Sequence, residues 1–90
     1  MTPIEKARGI GPVVSAELRR AGISTREELV AMGWQEAWAR LIEYFPDRLN
    51  RNCAYGLAAA VLDIDWRELP SEVKQEILVL SQQWRRHLLL

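Results

Sequence analysis

The chain has 90 residues, 49% of them hydrophobic and four of them Trp, enough for one globular core and too few for a second. A domain this size buries about 60–65% of its unfolded surface, and many such domains fold alone. Twelve basic residues balance twelve acidic ones. A net charge of zero removes long-range attraction to nucleic acid or anionic membrane, so any such binding must rest on a local patch.

The opening, MTPIEKARGIG, lacks the continuous apolar segment of a secretory leader. Gly9-Ile10-Gly11-Pro12 reads as a turn, with Pro12 at a first helical position where its missing N–H costs nothing. The helix that follows runs to about Ala21, with Val14, Leu18 and Ala21 on one face. Gly22 ends it, since glycine accepts the left-handed conformation of a helix C-terminus, and Ile23 folds back onto Leu18. Ser24 and Thr25 are alternative N-caps, with Glu27 and Glu28 three residues on, which leaves the register of the next helix open by one residue. That helix is short and stops near Met32-Gly33.

A third helix spans about Trp34 to Phe45 and buries Trp34, Trp38, Leu41, Ile42 and Phe45; Pro46 prevents its continuation. Asp47 to Asn50 is a loop. A fourth helix covers about Arg51 to Leu62, with Tyr55, Ala58, Ala59 and Leu62 along one face. Its alanines should admit close approach by another helix. Asp65-Trp66-Arg67-Glu68 has the pattern of a capping box on one tight turn. It is closed by Leu69-Pro70, and Trp66 is expected to be buried and to pin the last helix. That helix begins near Ser71 and presents Val73, Ile77, Leu80 and Trp84. No run approaches the ~20 apolar residues of a membrane span. The expected fold is all-α: one domain over residues 1–90, a compact bundle of about five short helices.

The stretch Ala7 to Val30, ARGIGPVVSAELRRAGISTREELV, resembles a helix-hairpin-helix motif. The resemblance implies that backbone N–H groups of the glycine turn meet a DNA phosphate, a role that orphan donors and the helix dipole favour physically. The candidate phosphate residues are Gly9, Gly11, Val13 and Val14, with charge from Lys6 and Arg8. Val13 and Val14 stand where DNA-binding hairpins usually carry a cation, and Glu5 and Glu17 interleave with the nearby bases. Packing alone is the competing account of the glycine pair.

Over about Ile4 to Leu80 the order of marks is similar to the C-terminal domain of the bacterial TfoX/Sxy competence regulators. Ile10-Gly11-Pro12, Leu18, Ala21-Gly22-Ile23, Thr25, Leu29 and Met32-Gly33 open the pattern. Leu49-Asn50, Asn52, Tyr55, Leu57, Trp66 and Leu69-Pro70 complete it. Family members commonly show Glu-Gly where this chain has Ala58-Ala59, and the chain resembles that domain standing alone. The resemblance implies a regulatory role linked to DNA uptake.

Other candidates have structural explanations. Trp84-Arg85-Arg86-His87 fits helix termination by cations, worth about 0.3–1 kcal/mol. Trp34, Trp38, Tyr55 and Trp66 lie at helical spacing and read as core. Cys53 reads as a small buried hydrophobe, and a lone cysteine offers neither an internal disulfide nor a zinc ligand set. No base stands near a nucleophile, since the sole His is His87. The expectation is a non-enzymatic cytoplasmic adaptor without cofactor or metal, acting on an unidentified protein partner, with weak sequence-nonspecific DNA binding as the alternative. Leu88-Leu89-Leu90 leaves an apolar end that either packs back on the bundle or meets a second chain, with a homodimer the favoured expectation.

Overall fold

A computed structural model describes residues 1–88. Five α-helices follow in order: α1 (Pro12–Arg20), α2 (Arg26–Met32), α3 (Trp34–Tyr44), α4 (Arg51–Leu62) and α5 (Ser71–Leu88). Single 3₁₀ turns at Ile4–Lys6, Pro46–Arg48 and Trp66–Glu68 join them. The described residues hold no strand; Pro3 and Thr25 form an isolated bridge, where Ile4 N–H donates to the Ser24 carbonyl and Arg26 N–H to the Thr2 carbonyl. The fold is all-α. The apolar end and the homodimer expected through it fall on Leu88 to Leu90, whose side chains lie outside the described residues.

Local chemistry sets the boundaries. Gly22, at φ +91°, closes α1, and Ile23 N–H returns to the Leu18 carbonyl at 2.8 Å. Thr25 is the cap of α2: its hydroxyl accepts from Glu28 N–H at 3.1 Å. The Glu28 carboxylate accepts in turn from Ser24 N–H and the Thr25 hydroxyl. Glu27, freed from capping, accepts from Thr2 N–H at 2.8 Å and ties down the chain start. Gly33, at φ +89°, separates α2 from α3. Asn50 caps α4 through Cys53 N–H, and at the other end Asp63 adopts the left-handed conformation (φ 57°). Arg26 reaches across from α2 to the Ala60 and Val61 carbonyls, satisfying acceptors that the end of α4 leaves orphaned.

Helix α4 is the centre of the bundle. Cys53, Ala54, Leu57, Ala58, Ala59 and Ala60 are all buried, because α2, α3, α5 and the 66–68 turn pack around it. A helix apolar nearly all round belongs in such a position. The close approach expected at Ala58-Ala59 is tightest one turn earlier, at Gly56. A Cβ there would sit 2.7 Å from the Gly9 carbonyl oxygen, so the loop before α1 lies directly on the α4 backbone. Trp38 is fully buried between Trp34 and Trp84, with ring centroids 6.4 and 4.8 Å away. Its indole N–H donates to the Arg48 carbonyl at 2.8 Å, as a buried Trp requires.

Three expected core positions are corrected. Trp66 is 51% exposed. Its turn is 3₁₀, three residues per turn, and the buried anchor it delivers is Leu69, at 5% exposure. Leu62 is exposed because α4 ends there and Asp63 turns the chain away. Phe45 is half-buried: as the residue after α3 it leaves the helical path, at ψ 83°, and so misses the core face.

Candidate docking surface

The Gly9–Val14 turn is built from two glycines in different states. Gly9, at φ +88°, can be only glycine without strain, and a Cβ on it would meet the Gly56 carbonyl oxygen at 2.9 Å. Its role is close packing on α4. Gly11 is the cap residue of α1 in an ordinary extended conformation (φ −85°), and a Cβ on it would meet nothing within 4 Å. The first-turn amides of Val13 and Val14 have no intrahelical acceptor and sit at this open end. Val13 is 61% exposed and Val14 half-buried.

The charges around the turn are largely engaged with one another. Arg8 lies 4.0 Å from Asp63. Arg19 makes a forked contact to Glu5 at 2.7–3.0 Å, which holds the Glu5 carboxyl below its ordinary range. Arg48 grips Glu17 through two bonds of 2.6 and 3.0 Å. Lys6 is exposed at the end of the first 3₁₀ turn. Among the candidate phosphate residues the structure therefore brings the turn amides together, while Arg8 leans toward a carboxylate.

Two concavities flank the turn. On one side Pro12, Val13, Ala16 and Phe45 line a groove of about 490 Å³, rimmed by Glu17 and Arg20. Tyr44, 57% exposed, lies beside Phe45 with ring centroids 6.4 Å apart. On the other side Gly9, Asn52, Tyr55, Gly56 and Trp66 enclose a cleft of about 320 Å³. The Arg67 guanidinium stands 5.9 Å over the Trp66 ring, held by Asp65 at 3.1 and 3.2 Å. Sequence reasoning missed the apolar groove. Its partners Val13 and Phe45 are far apart in sequence, and neither belongs to a pattern that marks exposure.

Cys53 behaves as expected. It is buried, and burial pushes its thiol up to about 11, which removes the thiolate needed for nucleophilic chemistry at neutral pH. His87 lies with Trp84 and Glu43 at a small depression between α3 and α5.

The fold and this surface define an all-helical domain whose distinctive feature is a glycine turn seated on a central helix. Its first 81 residues match the model of the TfoX C-terminal domain, and the chain belongs to that family. Among solved structures, a crystal structure of an uncharacterized protein from Listeria monocytogenes is 30% identical. The match covers 93% of this chain and 94% of that one, with a TM-score of 0.89. No curated protein matches the chain. No helix of the described residues is long and apolar enough to cross a membrane.

Proposed function

We propose that this domain is a non-enzymatic regulatory adaptor of the competence-regulator type that docks a protein partner on the face carrying the head of α1. The observation that carries the reading is the groove of Pro12, Val13, Ala16 and Phe45, with Val13 61% exposed at its edge. Exposed apolar side chains around a concavity characterise protein contacts. Arg8, Arg19 and Arg48 are engaged by Asp63, Glu5 and Glu17, which reduces the charge this face offers to a phosphate backbone. The cytoplasm is the proposed compartment, where a single buried thiol stays reduced.

A second reading rests on the open amides at the head of α1: weak, sequence-nonspecific binding of duplex DNA. Two or three neutralised phosphates would give a log–log salt slope of about −2 to −3 and a dissociation constant of roughly 10⁻⁴ M or weaker. Capture of partners from a lysate of the native host, with and without nuclease, separates the two. Docking predicts a nuclease-resistant partner lost with Val13→Asp. DNA binding predicts nuclease-sensitive capture, and duplex binding abolished by Gly11→Glu. That substitution leaves the fold intact because space beside Gly11 is open. Retention of the partner by a folded Val13→Asp variant would refute the docking site.

A further inference from the structure

Asn52 forms a wall shared by two concavities of different chemistry. One is the aromatic cleft, with Tyr55 and Trp66. The other is a groove of about 480 Å³ between the first turn of α4 and the last turns of α5, lined by Arg51, Asn52, Gln82 and Arg85. Among the described residues no carboxylate lines that groove, and both arginines are exposed. In the hairpin, by contrast, Arg8 and Arg19 each face an acid. The order along the surface is thus two cations from different helices, then an amide, then two aromatic rings over a floor of Gly9 and Gly56.

From this juxtaposition we infer that the surface centred on Asn52 binds single-stranded nucleic acid, with an unpaired base on Trp66 and Tyr55 and the adjoining phosphate between Arg51 and Arg85. Three physical arguments carry it. Trp66 is 51% exposed although Leu69 anchors its turn, and its ring, with the Arg67 guanidinium 5.9 Å over it, still lines the cleft. An aromatic face stacks on any base and tolerates any sequence. An amide donates and accepts at once, which suits the mixed donor–acceptor edge of an unpaired base. Arginines without acids opposite them complement a phosphodiester. A duplex buries its base faces in the stack, so the aromatic half of this site discriminates against it.

This site is separate from the Val13–Phe45 groove, and its test is independent of the docking proposal. Fluorescence anisotropy of a labelled oligothymidine is measured against wild type, Trp66→Ala, Arg85→Glu and Val13→Asp, each checked for folding by circular dichroism. The expected result is single-strand binding at low salt that exceeds binding of a duplex of equal length. Trp66→Ala should weaken it about tenfold. Arg85→Glu should weaken it too and flatten the salt slope by about 0.7. Val13→Asp should leave it unchanged. No binding at low salt, equal affinity for duplex, or affinity unmoved by folded Trp66→Ala and Arg85→Glu would overturn the assignment.

Discussion

Replacing Gly56 by alanine adds one methyl group to a helix interior, where alanine is preferred over glycine by about 1 kcal/mol. Propensity alone therefore predicts a more stable protein. The structure predicts the opposite. The added Cβ falls 2.7 Å from the Gly9 carbonyl oxygen, about 0.7 Å short of ordinary contact, and the obstructing atom is backbone, which cannot rotate away. Neither side can retreat freely. Gly56 sits between half-buried Tyr55 and buried Leu57 on the central helix, and the Gly9 loop is fixed by buried Ala7 and Ile10. Overpacking of this kind costs about 1–3 kcal/mol, and a rigid backbone clash belongs at the upper end. Set against the propensity gain, a net loss of about 1–2 kcal/mol follows, or roughly 5–15 °C in melting temperature for a domain of this size. Gly9→Ala should be worse, because the left-handed backbone adds about 1–2 kcal/mol to a 2.9 Å contact. Gly11→Ala, two residues away, should change stability by less than about 0.5 kcal/mol: the space is open, and a weaker N-cap opposes the reduced freedom of the unfolded chain. Urea and thermal unfolding of the three variants measure all of this. A Gly56→Ala protein as stable as the parent would refute the packing role of the hairpin.

Other consequences can be checked in the same way. Leu69→Ala should cost about 2–5 kcal/mol, while Trp66→Ala, at an exposed site, should melt within a few degrees of the parent; the reverse order would refute the assignment of Leu69 as the anchor. The Cys53 thiol, pushed up to about 11, should resist thiol reagents at pH 8 in the folded protein and react after denaturation. Because that thiol ionises more readily when unfolded, its contribution to stability should be intact below about pH 9 and lost as pH rises toward 11, an alkaline decline absent in Cys53→Ala. At the acid end the Arg19 guanidinium lowers Glu5, Thr2 N–H lowers Glu27, and Arg67 lowers Asp65. Their contributions are present above the ordinary carboxylate range and are lost as pH falls below it, so pH titration of the melting temperature should show an acid decline reduced in Glu5→Gln.

Helix positions were legible because their signals are local. Pro12, Gly22, Gly33 and the Asn50 to Arg51 junction each act on their own backbone, and the helices begin and end there within two residues. The choice between Ser24 and Thr25 was not legible, since both carry a glutamate at the right distance. It was decided by a distant group: Thr2 N–H engages Glu27 and leaves Glu28 to the cap. Tertiary direction was harder to read. The capping box at Asp65 was visible, but which side of its turn faces inward depends on where α4 runs, and Leu69 rather than Trp66 took the buried position.

The glycine pair shows how one motif can serve two physical ends. Gly9 and Gly11 read alike in sequence, as a turn that offers amides to an anion. In the structure Gly9 is required by its positive φ and by the Gly56 backbone beneath it, which is a matter of packing. Gly11 is required by neither. What remains at Gly11 is open space at the head of a helix, bordered by Val13 rather than by a cation. The apolar border favours a protein surface there. Arg51 and Arg85 stand elsewhere, in a groove lined by no carboxylate, beside exposed Trp66 and half-buried Tyr55. The two proposed nucleic-acid surfaces are therefore built differently, open backbone amides at the head of α1 against arginine and aromatic side chains around Asn52, and the Gly11→Glu and Trp66→Ala variants tell them apart.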